Sequence, residues 1–129
     1  AQDAVKAQDK NRSYLVYLVN WSVEALRQSF ENSDLVRLPS LQTSRYQVKS
    51  ANRLIEALWA GVPVWAHATP AYNEFSSFVT CDNNTYSGVK RALIREDYPD
   101  IIRDGQIHIA SNYSPEAIAK KWKNVLWQA

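Results

Sequence analysis

Several things are scarce in this chain. Among its 129 residues there is one cysteine, Cys81, and no methionine. A single cysteine excludes an internal disulfide and fits a reducing, cytoplasmic setting. Without a methionine, Ala1 is not a native translation start, so a piece of a longer parent chain is the expectation. No apolar run approaches the roughly 18 residues that a membrane-crossing helix needs. The opening AQDAVKAQDK is polar and does not have the pattern of a secretory signal. Charge of one sign is scarce too. The net charge is +2, and no basic run is longer than Lys90-Arg91 or Lys120-Lys121. Nucleic-acid domains usually carry a basic stripe, so nucleic acid is not expected as a partner. With one Cys, two distant His and no Asp-x-Asp, no metal site and no cofactor are expected. Four Asn-x-Ser/Thr triplets, at Asn11, Asn20, Asn83 and Asn112, would matter only in a secreted chain.

What is present is a strand–helix alternation. Residues 1–12 are polar and Ala-rich, which predicts a linker or a frayed helix. SYLVYLV (13–19) is an unbroken apolar run that suits a strand buried on both faces. Ser22 is placed to cap the helix VEALRQSFENS, which Asn32 and Ser33 stop. DLVRLP (34–39) reads as a second strand and the polar stretch 40–49 as a loop. Ser50 then caps a helix with the apolar stripe Leu54, Ile55, Leu58 and Trp59, ended by Gly61. VPVWAH (62–67) and SFVTC (77–81) are the third and fourth strands, with a turn or short helix over 70–75. Beyond Asn84 the period is helical: TYSGVKRALIRE, then 98–104 stopped by Gly105, then a helix begun by Ser114-Pro115. Ile118, Trp122, Val125 and Leu126 form the expected buried stripe of that last helix, and Trp59, Trp65, Trp122 and Trp127 are assigned to packing. The fold class is therefore α/β: a Rossmann-like parallel sheet of about four strands, flanked by helices, with a helical C-terminus.

Ligands of open parallel sheets bind beyond the carboxyl ends of the strands, where helix N-termini also point. The helix start after the second strand carries Lys49, Ser50, Asn52 and Arg53. Its free N–H groups and dipole already favour an anion. Cations are the wrong choice there for the helix alone, so an anionic ligand is the natural complement. The bland alternative is that Lys49 and Arg53 face solvent or pair with Asp34 or Glu56. Glu56, one turn on, is placed to accept from vicinal hydroxyls such as those of a ribose. His67 ends a strand on the ligand edge and could act as a base or polarise a leaving phosphate, although a loop hydrogen bond would explain it equally. Glu74 could reach sugar hydroxyls; Tyr72 and Trp21 could stack on a base or simply cover the core. His108 reads as structural.

RLIEALWAGVPVWA resembles the segment EA-(few)-G-x-P-V-(V/I)-A of GT-B-fold glycosyltransferases, in their C-terminal, donor-binding domain. NWSVEALRQSFENSDLVRLPS before it and ATPAYNEF after it are similar to the flanking units, and SPEAIAKKWKNVL is similar, more loosely, to the closing helices. The resemblance implies that residues 13–129 form a Rossmann-like domain that binds a nucleotide sugar. It implies that Glu56 holds the ribose and that Ser50, Asn52 and Arg53 face the diphosphate. It further implies polysaccharide biosynthesis, an acceptor sugar or glycan bound by a missing N-terminal domain, and a parent enzyme peripherally associated with a membrane. This piece alone would bind without turnover. Two departures stand out: Val48 occupies the position where retaining members place a second glutamate, and no glycine-rich turn precedes the helix. Two other classes compete with this expectation. One is a non-catalytic Rossmann-like protein-interaction module. The other is single-stranded nucleic acid bound through Arg45, Tyr46, Lys49 and Arg53, which the near-balanced charge disfavours.

Overall fold

The computed structural model describes residues 3–9, 12–41 and 43–127. The chain divides into two compact units, residues 1–32 and 33–129. The division falls inside the single domain expected over 13–129.

The first unit contains an antiparallel hairpin, β1 (Asp3–Asp9) with β2 (Arg12–Leu18), followed by α1 (Val23–Glu31). The strand β1 replaces the expected linker or frayed helix. Its register pairs Asp9 with Arg12, which leaves two residues between the strands, the shortest common hairpin connection. The apolar run SYLVYLV therefore finds its backbone partner locally and does not join a parallel sheet. The helix α1 starts where expected: Ser22 Oγ accepts from the Ala25 amide at 3.0 Å. Arg27 pairs with both Glu24 and Glu31 on its exposed side.

The second unit is α/β. Its sheet has three parallel strands in the order β3 (Val36–Leu38), β4 (Val64–Ala66), β5 (Thr80–Cys81), one fewer than the sequence suggests. Central β4 is buried at all three positions, as a strand covered on both faces must be. Between β3 and β4 lie the one-turn helix α2 (Ser44–Gln47), within the stretch read as loop, and α3 (Asn52–Trp59). Gly61 ends α3 as expected. At φ +83° it takes the left-handed conformation, and Val62 N–H donates to the Ala57 carbonyl while Gly61 N–H donates to that of Leu58.

A 3-10 helix (Pro70–Phe75) connects β4 to β5. The helices α4 (Thr85–Ile94), α5 (Tyr98–Tyr113) and α6 (Pro115–Trp127) complete the unit. Asn84 caps α4 by accepting from the Ser87 amide at 3.0 Å. The helix α5 runs straight through Gly105, which the sequence marks as a stop. A Cβ there would lie 2.8 Å from Leu58 Cδ2, so the glycine is required by the close approach of α5 to α3. The core is built from Leu54, Leu58, Val64, Trp65, Phe75 and Val79, with Ala92 and Tyr98 packed on Trp65. Trp65 alone of the tryptophans assigned to packing is buried. Trp59 is 56% exposed and Trp127 75%, and the α6 stripe is exposed as well, Trp122 at 62% and Leu126 at 62%. Among the described residues, no helix is long and apolar enough to cross a membrane.

Candidate functional site

Beyond the carboxyl end of β3 the second unit opens into a cleft of about 600 Å³. That volume accommodates a cofactor-sized ligand. Its lining comes from four places in the sequence: the end of β3 with Arg37 to Ser40, Tyr46 on α2, Lys49, Ser50, Asn52 and Arg53 at the start of α3, and Thr69 with Tyr72 around the 3-10 helix. Lys49, Ser50, Asn52, Arg53 and Tyr72, chosen from the sequence, are thus brought together. Arg37, Tyr46 and Thr69 are additional. The ligand-edge rule could have found both: Arg37 directly precedes the end of the second strand, and Thr69 follows the carboxyl end of the third.

The cleft is cationic. Arg37, Lys49 and Arg53 all line it, and among the described residues no lining side chain is a carboxylate. Nor does any carboxylate of the described residues form an ion pair with these three. Among the described residues neither Asp34 nor Glu56 pairs with them, and Lys49 and Arg53 are exposed, as the solvent-facing form of the bland alternative has it. Two of the cations rest on aromatic faces instead. Lys49 Nζ is 4.0 Å from the Tyr46 ring centroid, and the Arg37 guanidinium 6.0 Å from that of Trp65. Such contacts orient a cation without cancelling its charge. Burial pushes the Tyr72 phenol above its ordinary value, while the Arg53 guanidinium pulls it downward.

The start of α3 itself differs from expectation. The cap residue is Ala51, not Ser50, and no side chain caps the helix. A methyl group cannot accept from the first-turn amides, so those of the exposed Asn52 and Arg53 are left for solvent or a ligand. Ser50 lines the cleft instead.

The remaining candidates sit elsewhere. Glu56 lies one turn along α3, exposed and outside the cleft lining. Ser40 N–H donates to His67 Nδ1 at 2.9 Å, the Ser40 carbonyl is 2.7 Å from the same nitrogen, and Nε2 is 3.3 Å from Thr85 Oγ1. His67 therefore ties the loop after β3 to the start of α4, one residue behind the cleft wall. Glu74 faces α5: Oε1 is 2.7 Å from His108 Nε2, and Oε2 accepts from the Tyr113 hydroxyl at 2.6 Å. Hydrogen bonds from Tyr113 and then His108 hold its carboxyl below the ordinary range. Burial, with Glu74 beside it, pushes the Tyr113 phenol up to about 12. Trp21 belongs to the first unit, where it is exposed. Among the described residues, no group of three or more His, Cys, Asp or Glu could hold a metal ion.

An uncapped helix start with three unneutralised cations and aromatic edges can hold a polyanion through amide and charge-assisted hydrogen bonds. No family model, curated protein or solved structure matches the chain, so the reading of the cleft rests on its geometry.

Proposed function

We propose that residues 33–129 are the nucleotide-facing part of a Rossmann-like donor-binding domain of a GT-B-type glycosyltransferase. The ligand is a nucleoside diphosphate sugar, and the acceptor, a sugar or glycan, is held by a domain outside this chain. The observation that carries the reading is the meeting of Arg37, Lys49 and Arg53 at the uncapped start of α3, with no carboxylate of the described residues paired to them. The diphosphate sits on the α3 amides between Lys49 and Arg53. The base stacks on Tyr46 or Tyr72, and Glu56, further along the Asn52 side of α3, accepts from the ribose hydroxyls. As the sugar departs, negative charge grows on the diphosphate, and fixed cations stabilise it without reorganising. His67 acts by holding the loop that presents Ser40. Standing alone, the chain binds donor without transferring sugar, and it works in the cytoplasm.

Calorimetric titration with UDP, GDP and ADP tests this. At least one should bind, with affinity lowered about tenfold or more in Arg53→Ala, the loss expected of a charge-assisted phosphate contact. A folded chain that binds none of them would refute the assignment. The exposed stripe of Trp122, Val125 and Leu126 on α6 favours a second reading, a non-catalytic interaction module that docks a protein through that face. This reading predicts no nucleotide binding at all.

A further inference from the structure

The 3-10 helix Pro70–Phe75 points two polar side chains in different directions. Tyr72 lines the cleft, whereas Glu74 is held by α5. With three residues per turn, positions 72 and 74 lie about 120° apart around the axis. A 3-10 turn has poor internal hydrogen-bond geometry, so its orientation is set by what anchors it. Phe75 is fully buried, with the rings of His108 and Tyr113 each 5.7 Å away. At three residues per turn Phe75 shares a face with Tyr72, so packing of that ring fixes the depth of the segment and restrains its rotation from one side. Glu74 adds directional bonds on a second face: 2.7 Å to His108 Nε2 and 2.6 Å from Tyr113 Oη, at two different points of α5. The anchor on α5 is itself braced. Asn112 Nδ2 donates to the His108 carbonyl at 2.9 Å, and Lys121 of α6 donates to the Asn112 carbonyl at 3.0 Å, with its ammonium 5.3 Å from the Tyr113 ring. His108, Tyr113 and Lys121 are the titratable groups that face the Glu74 carboxylate from the elements packed against it.

We infer that Glu74 is a positioning residue: its two bonds to α5, added to the packing of Phe75, hold the rotation of the 3-10 helix and so keep Tyr72 as a wall of the cleft. The inference rests on the cleft being the ligand site. It moves Glu74 from contact with a sugar to control of the aromatic wall, through His108 and Tyr113.

The test uses the full 129-residue chain with UDP as probe. In Glu74→Ala, amide hydrogen exchange at Tyr72, Ser76 and Phe78, whose N–H groups close the turns of this segment, should speed up without any ligand. UDP affinity should fall about tenfold, a coupling typical of residues within one network. Glu74→Gln keeps an acceptor for the Tyr113 hydroxyl and should recover part of the loss. In a Tyr72→Ala background, Glu74→Ala should cost less than about twofold, because the wall it positions is gone. If Glu74→Ala does not fold, Tyr113→Phe removes a single hydroxyl and should show the same pattern more weakly. Unchanged exchange would overturn the inference. So would a full loss of affinity from Glu74→Ala in the Tyr72→Ala background, which would mean direct contact with the ligand. If the native chain binds no UDP, the nucleotide reading fails, and the exchange measurement alone decides whether Glu74 holds the helix.

Discussion

Gly88 sits where a methyl group has no room. A Cβ at this position would collide with Trp65 Nε1 and lie 2.8 Å from Asp82 Cβ. Trp65 is the largest fully buried side chain of the core, enclosed by Ala92 and Tyr98, so it cannot give way cheaply. Gly88→Ala should therefore destabilise the second unit by about 3 kcal/mol in urea denaturation; a change under about 1 kcal/mol would show that Trp65 is free to shift. The sequence gives no hint of this, because the contact joins α4 to β4 across the fold. Gly105 misleads for the same reason. A glycine after a helical run usually marks a C-terminus, and only the approach of Leu58 shows why this one lies inside α5. The cleft residues behave differently. Lys49, Ser50, Asn52 and Arg53 are legible because they are close in sequence and one helix start presents them together. Arg37 and Thr69 join them only through the sheet, so the ligand-edge rule, and not a run of neighbouring residues, is what points to them.

At the scale of elements, caps and breaks were legible wherever the deciding bond is local. Ser22, Asn84 and Gly61 perform as their sequence positions imply. The strand β1 was not, since a polar, Ala-rich stretch becomes a strand only through its pairing with β2. The same lesson applies to Glu74. Its partners, His108 and Tyr113, lie 34 and 39 residues on, and nothing near it in sequence announces them. The anchor between the 3-10 helix and α5 has a defined pH signature. The folded pKa of Glu74 is lowered, so its contribution is full above the unfolded carboxylate value of about 4.3 and is lost as pH falls through the folded value. That of Tyr113 is raised to about 12, so its contribution holds below the unfolded phenol value and is lost as pH climbs through about 12. Denaturation of native chain and Tyr113→Phe across pH should give a gap that is constant between about pH 5 and 9 and closes below about pH 4. A gap that does not change on acidification would show that the Tyr113 hydroxyl does not act through a Glu74 carboxylate.

For the molecule as a whole, the sequence conveyed the α/β class, the parallel sheet and the helical C-terminus. It overstated the sheet by one strand because SYLVYLV closes a hairpin. It also placed the α6 stripe in the core, although Trp122, Val125 and Leu126 are exposed. Helical periodicity shows that a face is apolar, not what covers it. The function proposed here depends on something narrower than the fold: the uncapped start of α3 and the cations around it form a seat for diphosphate. Amide chemical-shift mapping with UDP and with uridine tests that claim most directly. UDP should shift the amides of Asn52, Arg53 and Leu54 in a saturable way, while uridine, which lacks phosphate, should leave them in place. Saturable shifts centred away from residues 49–54, or equal shifts with uridine, would contradict it.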